Sequence, residues 1–251
     1  MVKVIMHGCN GRMGQMISQI AKEDTDIEIV AGIDIVNNKD NYYPVYMSLA
    51  DCKESADVVI DFGNAKAVDA LLDYCVSTRT GVVLCTTGLS EEQLARVEDV
   101  SNRIPVLKSA NMSLGINVLL KVLKENSKVL KDAGYDIEIV EKHHRMKLDA
   151  PSGTALALAD AVQEGCESNL DYVYGRSERR MQRPDDEIGI SAVRGGTIVG
   201  DHDVIFAGQD EVLTFSHTAY SRAIFAKGAI AAAKFLYGKP ADYYTMADVI
   251  G

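Results

Sequence analysis

The sequence lacks the features that would place the protein in a membrane, in a secreted disulfide framework or around a structural metal. No apolar run approaches the roughly 20 residues that cross a bilayer. Residues 1–6 lead straight into a strand-like segment, without the architecture of a signal peptide. The five cysteines are odd in number, widely spaced and never arranged as CxxC, which favours reduced thiols over disulfides or a zinc site. We therefore expect a cytoplasmic protein with no bound metal and no membrane partner.

Basic residues are the scarcer charged class, with 26 lysines and arginines against 36 aspartates and glutamates and a formal charge of −10. Such a surface repels a phosphate backbone, so we expect no nucleic-acid partner. The 251 residues, 47% apolar and 25% charged, are typical of a globular chain with one large domain or two modest ones. This composition excludes disordered, collagen-like and coiled-coil proteins.

Strand-like segments alternate with helical patterns through the first part of the chain. The predicted strands are residues 2–6, 28–33, 57–61, 82–85 and 106–107, and the predicted helices are residues 13–22, 65–76 and 91–102. Strands that alternate with helices form βαβ units. This part of the chain therefore predicts a Rossmann-like, doubly wound parallel sheet with helices on both faces.

The pattern changes near residues 112–114, where we place a domain boundary. Helices are then predicted at residues 115–133, 155–163 and 222–237, and a strand with one wet face at residues 135–141. Residues 187–216 contain strand-like runs broken by glycines, which predicts hairpins of antiparallel sheet. The predicted fold class is α/β, with a Rossmann-like first domain and an α+β second domain on an open mixed or antiparallel sheet.

A glycine-rich turn follows the first predicted strand and opens the first helix. Gly8, Gly11 and Gly14 have GxxGxxG spacing, which allows a tight turn and lets the backbone approach a pyrophosphate. Asp34 stands twenty residues after Gly14, where a carboxylate accepts hydrogen bonds from an adenosine ribose. The pattern predicts a dinucleotide site; the alternative is a tight turn without a ligand. An acid at Asp34 followed by Ile35 disfavours a 2′-phosphate, so NADH is favoured. NADPH stays open, because Lys39 supplies a counter-charge if the Asn37-Asn38 loop folds back.

The most informative segment, residues 141–154, is basic in a chain that is acidic as a whole. The adjacent His143 and His144 can exchange protons near neutral pH, and Lys147 adds positive charge. We interpret the segment as a site for an anionic small molecule; the alternative is a solvated basic loop. Adjacent histidines point to opposite faces of a strand, which disfavours a metal site.

Hydroxyl and glycine residues complete the segment. Ser152, Gly153 and Thr154 open a helix, and the amides at a helix start bind carboxylate or phosphate. The plainer alternative is an ordinary capped helix. The remaining histidines of the chain are scattered or isolated, namely His7, His202 and His217.

These motifs together resemble the 4-hydroxy-tetrahydrodipicolinate reductases, also called the dihydrodipicolinate reductase family. The resemblance rests first on residues 143–155, His-His-Arg-x-Lys-x-Asp-Ala-Pro-Ser-Gly-Thr-Ala, a far more specific motif than the glycine turn. Further matches run from end to end of the chain. They are residues 8–14, Thr86-Thr87-Gly88, Ala110-Asn111-Met112, Gly189-Ile190, Arg194-Gly195-Gly196, Val199-Gly200, Ser216-His217, Ser221-Arg222 and Phe225.

The resemblance implies roles for individual residues. His143 matches the family's proton donor and acceptor, and Lys147 matches its catalytic proton donor. The residues implied to bind substrate are His144, Ser152, Gly153 and Thr154. The residues implied to contact the nucleotide are Gly8, Cys9, Asn10, Gly11, Arg12, Met13, Asp34, Cys85, Thr86, Thr87, Ser109, Ala110, Asn111 and Met112. The family often has glycine where Cys85 stands, and many members have arginine where Ile35 stands, which weakens any claim for strong NADPH use.

The family reaction, a step of lysine synthesis through diaminopimelate, implies a small cyclic imine dicarboxylate as substrate. This ring loses its 4-hydroxyl as water, receives a hydride at C4 from NADH or NADPH, and is then protonated at the neighbouring carbon. The family fold implies that residues 1–113 with 223–251 form the dinucleotide-binding domain. Residues 114–222 are then the substrate-binding domain, through which subunits associate as a homotetramer.

Two other functions compete with this reductase. A nucleotide-sensing regulator would bind NADH without chemistry, and it has no need of His143, Lys147 or Thr154. Another dehydrogenase of small carboxylates, such as an aldehyde dehydrogenase, needs a nucleophilic cysteine near a basic residue. For the arginines of residues 176–183 (Arg176, Arg179, Arg180 and Arg183) we expect a solvated or inter-subunit loop rather than substrate contact. Arg222 either reaches the cofactor or simply begins the last helix.

Overall fold

The computed structural model describes residues 1–177 and 179–251. The strands are β1 Val2–His7, β2 Ile27–Ile33, β3 Val45–Tyr46, β4 Val58–Asp61, β5 Gly81–Leu84, β6 Pro105–Lys108, β7 Asp136–His143, β8 Asp171–Tyr174, β9 Glu187–Arg194, β10 Gly200–Ala207, β11 Val212–Ala219 and β12 Asp242–Tyr244. The helices are α1 Arg12–Glu23, α2 Val68–Thr78, α3 Glu91–Ser101, α4 Leu114–Asp132, α5 Gly153–Cys166, α6 Ala223–Leu236 and α7 Met246–Ile250. The chain divides into two compact units, Met1–Leu114 with Ala223–Gly251, and Gly115–Arg222.

The first unit is built on a parallel sheet of seven strands in the order β12-β6-β5-β4-β1-β2-β3. Its inner strands are apolar along almost their whole length, because both faces are covered. In β1, Val4 and Met6 face a core shared with α1 and α6, whereas Ile5 faces a core shared with α2 and α3. This alternation produces two hydrophobic layers, one on each side of the sheet.

The second unit is built on a mixed sheet in the order β11-β10-β7-β9-β8. Ile137 and Ile139 of β7 pack with Leu123 of α4 and Leu158 of α5 in one core. β10 is antiparallel to both β7 and β11, whereas β9 is parallel to β7 and β8. The predicted hairpins are therefore wrong for β9, because β7 lies between β9 and β10. Only β10 and β11 form a hairpin within the predicted region.

The predicted fold class is confirmed, since a Rossmann-like parallel sheet is followed by an α+β part on a mixed sheet. Among the helices that the structure describes, none is both long enough and apolar enough to span a membrane.

Candidate active site

Only glycine fits at two positions of the segment that runs from the turn after β1 into α1. Gly8 adopts a left-handed backbone with φ of +81°, and a Cβ on it would lie 2.6 Å from the carbonyl oxygen of Phe62. A Cβ on Gly14 would lie 2.3 Å from the carbonyl oxygen of Gly8. The turn therefore folds closely against the start of α1 at Arg12. Amides at such a helix start are suited to the pyrophosphate of a dinucleotide.

Asp34 follows β2 directly and lies against the glycine turn. One of its carboxylate oxygens accepts a hydrogen bond from the Asn10 amide at 2.9 Å, and the other accepts from the Val36 amide at 3.1 Å. Each oxygen keeps a further lone pair, so the carboxylate can also accept from ribose hydroxyls. Ile35 beside it is 80% exposed and brings no charge that would offset a 2′-phosphate.

The turn after β5 contains a buried hydroxyl without a partner. Thr86 is buried, and its Oγ1 makes no hydrogen bond to any residue that the structure describes. Such a group costs free energy unless a ligand or water satisfies it. After β6, Ser109 Oγ donates to the Asn111 carbonyl at 2.9 Å and fixes the second turn. Both turns follow the carboxyl ends of parallel strands, so together with the glycine turn they fit NAD(P)H.

Several of the predicted nucleotide contacts have side chains that face the core. Cys9, Cys85 and Met112 are buried in the same apolar cluster, and Met13 packs against it. Asn10 donates from its side-chain amide to the Val36 carbonyl. These residues therefore offer a ligand chiefly their backbone.

None of the five cysteines has an activated thiol. Burial raises the pKa of Cys9 to about 12 and moves the pKa of Cys85 well above its ordinary value. Burial also raises the pKa of the other three thiols, Cys52, Cys75 and Cys166. An aldehyde dehydrogenase needs a reactive thiolate, so these environments argue against that alternative.

The second unit brings functional side chains together at the end of β7. Alternate residues of this strand face inward, so Glu141 and His143 are buried on the same face as Ile139. His143 Nδ1 lies 2.6 Å from Glu141 Oε2. The Gly195 amide donates to the His143 carbonyl at 2.9 Å and ties the strand end to the residue after β9. The imidazole is therefore held on a fixed backbone.

A second histidine lies against His143. His202 is on β10, and its ring meets that of His143 edge to face with centroids 5.1 Å apart. His202 and His7 are isolated in the sequence, but strand pairing gives each of them a partner in the fold. His202 lies opposite Glu141 in the β7–β10 register, and His7 Nδ1 lies 2.6 Å from the buried carboxylate of Asp61.

The lysines of the basic segment have different partners. Lys142 Nζ lies 3.2 Å from Asp203 on β10, on the face of the strand opposite to His143. Lys147 Nζ lies 2.8 Å from Asp149 in the loop after β7, and this ammonium group lowers the pKa of Asp149. Lys147 therefore stands as a cation in the loop that directly follows His143.

Helix α5 begins where that loop ends. The Ser152 hydroxyl is buried, accepts from the Ala155 amide at 3.1 Å and lies 3.0 Å from His202 Nε2. Its side chain thus forms the helix cap and contacts a histidine. Gly153 is exposed, and no atom lies within 4 Å of the place where a Cβ would stand. The side-chain position of Gly153 is therefore open, and Thr154 follows in the same turn.

Comparisons with known proteins match the chain from end to end. The family model described as dihydrodipicolinate reductase, N-terminus, matches residues 2–112, and the one described as dihydrodipicolinate reductase, C-terminus, matches residues 115–250. The chain belongs to the dihydrodipicolinate reductase family. Relatives at high identity carry the name 4-hydroxy-tetrahydrodipicolinate reductase. The one from Caldanaerobacter subterraneus subsp. tengcongensis is 54% identical, with 100% of this chain and 98% of the relative covered. The one from Clostridium tetani is 49% identical, with coverages of 98% and 96%.

A solved structure of the same fold is described as dipicolinate-bound dihydrodipicolinate reductase from Paenisporosarcina sp. TG-14. It matches with a TM-score of 0.83 at 24% identity and covers 100% of both chains. This structure shows the fold, and the family models and the relatives confirm the family predicted from the motifs.

In this member of the dihydrodipicolinate reductase family, three arginines of residues 176–183 pair within their own unit. Arg176 and Arg179 pair with the buried Glu187, and Arg183 Nη1 lies 2.7 Å from Asp136. These carboxylates begin β7 and β9, whereas His143 ends β7. Seven residues of strand separate the two ends by about 23 Å. The arginines therefore stabilise the end of the sheet that is remote from His143 in their own chain.

The sequence motifs did not identify Glu141, Arg194 and His202 as members of the site. Glu141 accepts a two-pronged ion pair from Arg194, with Nη1 at 2.7 Å from Oε2 and Nη2 at 2.6 Å from Oε1. The signal for Glu141 was present in the alternation of β7, because residues 137, 139, 141 and 143 must share one face. His202 had no such signal, since its place depends on the pairing of β10 with β7.

Proposed function

We propose that this chain catalyses the NAD(P)H-dependent reduction of 4-hydroxy-2,3,4,5-tetrahydrodipicolinate to 2,3,4,5-tetrahydrodipicolinate and water, a step of lysine synthesis through diaminopimelate. One observation carries the proposal: His143 at the end of β7, the ammonium group of Lys147 and the start of α5 follow one another in a single segment of the second unit. The names of the relatives at 54% and 49% identity support the same reaction.

His143 and Lys147 are the proposed catalytic residues. NAD(P)H, when bound, supplies the hydride that adds to C4 of the ring, from which the 4-hydroxyl leaves as water. Hydride addition builds electron density on the ring, and a cation beside the ring stabilises that charge. Lys147 provides this cation and can donate a proton. His143 exchanges a proton with the neighbouring ring carbon.

The start of α5 is the proposed site for a substrate carboxylate. Gly153 and Thr154 lie in the first turn, where amides point out of the helix and the helix dipole favours an anion. Ser152 supports this site as the helix cap, and the half-buried His144 is the proposed partner of the second carboxylate. A dicarboxylate substrate thus suits a basic segment in an otherwise acidic chain.

The first unit is the proposed NAD(P)H-binding domain, with NADH favoured over NADPH. The glycine turn, Asp34 and the turns at Thr86 and Asn111 support a dinucleotide with two ribose groups. The negative charge of Asp34 opposes a 2′-phosphate, and the exposed Ile35 offers no cation to offset that opposition.

We also propose that the second unit associates as a homotetramer in the cytoplasm. Val193, Val212 and Leu213 are exposed apolar residues of its sheet. An apolar cavity of about 210 Å³ beside β11 is lined by Val122, Asn126, Val129, Leu130, Leu213 and Phe215. Apolar surface of this kind is stabilised by burial against other copies. Light scattering is expected to give four times the mass of the chain; a monomeric mass would contradict the tetramer.

The test of the function follows NADH and NADPH absorbance with enzymatically generated substrate. We expect substrate-dependent oxidation, with the larger kcat/KM for NADH. Lys147→Ala and His143→Ala are each expected to lower kcat by at least about a hundredfold, because a positioned proton donor typically contributes that much. The Kd for the nucleotide is expected to stay essentially unchanged in both variants.

Normal turnover in both variants would contradict the proposed mechanism. Nucleotide binding with no substrate-dependent oxidation in the unaltered protein would favour the regulator over the reductase.

A further inference from the structure

Glu141 is a charged side chain with no solvent exposure, at the centre of the second unit's hydrogen-bond network. Its Oε2 is 2.6 Å from His143 Nδ1 and accepts from Arg194 Nη1 at 2.7 Å. Its Oε1 accepts from Arg194 Nη2 at 2.6 Å and from the Ser152 amide at 3.0 Å. Two oxygens thus face four donor groups, so the buried carboxylate is fully hydrogen-bonded.

These contacts keep Glu141 ionised. Burial by itself raises the pKa of a carboxyl group, but the hydrogen bonds from Arg194, His143 and the Ser152 amide outweigh it, and the pKa of Glu141 is lowered. An ionised carboxylate only accepts hydrogen bonds. His143 must therefore donate from Nδ1, which leaves Nε2 as the nitrogen that can take up or release a proton.

The opposite edge of the imidazole faces a glycine. A Cβ on Gly200 would lie 3.0 Å from His143 Nε2, closer than ordinary van der Waals contact. The absence of a side chain at this position keeps Nε2 from being crowded. Glu141 therefore contacts the ring at Nδ1, and no side chain at position 200 crowds Nε2.

We propose that Glu141, held by Arg194, is the positioning residue that fixes His143 with its proton on Nδ1 and makes Nε2 the atom that exchanges the catalytic proton. This inference rests on the proposed function, in which His143 exchanges a proton with the ring. Glu141 itself does not touch substrate. It acts through His143, as an orienting carboxylate does for a general acid or base.

The same carboxylate also fixes the start of α5. Its Oε1 accepts from the amide of Ser152, the residue that caps the helix. Arg194 Nη2 in turn donates to the Asp149 carbonyl at 2.7 Å, in the loop between His143 and the helix. Glu141 and Arg194 therefore hold the proton-exchanging ring and the proposed carboxylate site in one rigid arrangement.

The charged and titratable groups around His143 come from three strands and one loop. They are Glu141 on its own strand, Arg194 on β9, His202 on β10, and Lys147 with its partner Asp149 in the loop after β7. Of the two carboxylates, Glu141 is the one in contact with the His143 ring. Its replacement by a neutral side chain therefore removes the negative charge that directly contacts the imidazole.

The central variant is Glu141→Gln, measured as a pH profile of kcat/KM. We expect kcat to fall at least about tenfold, while the Kd for NADH changes less than about twofold. Because a nearby negative charge is lost, the limb on which activity falls with rising pH is expected to move about one unit to lower pH. Glu141→Asp keeps the charge, so its profile is expected to stay near that of the unaltered enzyme even though kcat falls.

The matched control is Glu138→Gln on the same strand. Glu138 Oε1 pairs with Arg176 at 2.5 Å and Arg183 at 3.1 Å, near the strand end remote from His143. This variant loses the same charge and comparable ion pairs. Loss of ion pairs alone is therefore expected to lower the free energy of unfolding in both variants. Only Glu141→Gln is expected to move the pH profile of kcat/KM.

A spectroscopic measurement tests the inference on the unaltered holoenzyme, independently of how any variant folds. In ¹⁵N-histidine NMR, with His143→Gln used for assignment, we expect neutral His143 to carry its proton on Nδ1. A proton on Nε2 would overturn the inference, as would an unmoved pH profile in folded Glu141→Gln. Turnover retained in Lys147→Ala and His143→Ala would instead overturn the proposed function and leave the tautomer result standing.

Discussion

The buried His202 makes the stability of the second unit depend on pH. It is 4% exposed, its Nε2 lies 3.0 Å from Ser152 Oγ, and Nδ1 has no partner among the described residues. Burial, followed by the proximity of His143, lowers the pKa of His202 from 6.5 to about 4. The folded protein therefore keeps this ring neutral at pH values where the unfolded chain binds a proton.

The direction and size of the effect follow from that difference. Between pH 6.5 and about 4 the unfolded chain holds the extra proton, so the free energy of unfolding falls as the pH is lowered. The loss begins near pH 7 and is complete below about pH 4. At 1.36 kcal/mol for each unit of pKa, the full contribution is about 3 kcal/mol, and most of it is lost by about pH 4.5.

His202→Gln removes the titrating group and keeps a side chain that can hydrogen-bond Ser152. We expect the difference in unfolding free energy between the unaltered protein and this variant to shrink by about 2 to 3 kcal/mol from pH 7 to 4.5. Urea unfolding followed by far-UV circular dichroism measures it, since the chain has no tryptophan. The control is His144→Gln, which removes a half-buried histidine of the same unit. A difference that stays constant with pH, or that grows as the pH falls, would refute the reasoning.

Three further changes test other parts of the structure. Ile35→Arg replaces an exposed side chain beside Asp34 with a cation that can pair with a 2′-phosphate. We expect the Kd of NADPH, relative to the Kd of NADH, to fall about tenfold. Gly14→Ala places a Cβ 2.3 Å from the Gly8 carbonyl oxygen, so we expect the Kd of NADH, measured by calorimetry, to rise at least about tenfold. The control is Gly195→Ala, because a Cβ at Gly195 meets open space. Gly189→Ala places a Cβ 1.8 Å from Glu138 Oε2, so we expect the free energy of unfolding, measured by denaturation, to fall by about 1 to 3 kcal/mol. An unchanged denaturation midpoint would contradict this packing.

The parallel sheet could be predicted from the sequence because its inner strands are buried on both faces. Strands such as β4 and β5 are continuous apolar runs bounded by polar turns, and each is followed by a helical pattern. Helix α3 begins with a capping box that is readable in the sequence, because Ser90 precedes the helix and Gln93, three residues on, accepts from the Ser90 amide. The short edge strands β3 and β12 were not predicted, since two or three residues carry no periodicity.

Pairing between distant strands could not be predicted from local patterns. Glycines at positions 195 and 196 favoured a hairpin between β9 and β10, yet β7 takes the place between them. The same insertion brings His202 against His143 and Arg194 against Glu141. The motif of residues 143–155 thus predicted the candidate catalytic side chains, whereas the residues that hold them come from strands whose order only the folded chain reveals.

The proposed reaction transfers a hydride to a dicarboxylate ring held by the second unit. The most direct measurement uses NADH deuterated at the transferable position of nicotinamide C4, with enzymatically generated substrate and mass and NMR analysis of the product. We expect one deuterium at C4 of the product ring, and almost no labelled product when Lys147→Ala replaces the unaltered enzyme. Oxidised nucleotide without label in the ring, or a labelled ring formed equally well by Lys147→Ala, would contradict the proposed reaction.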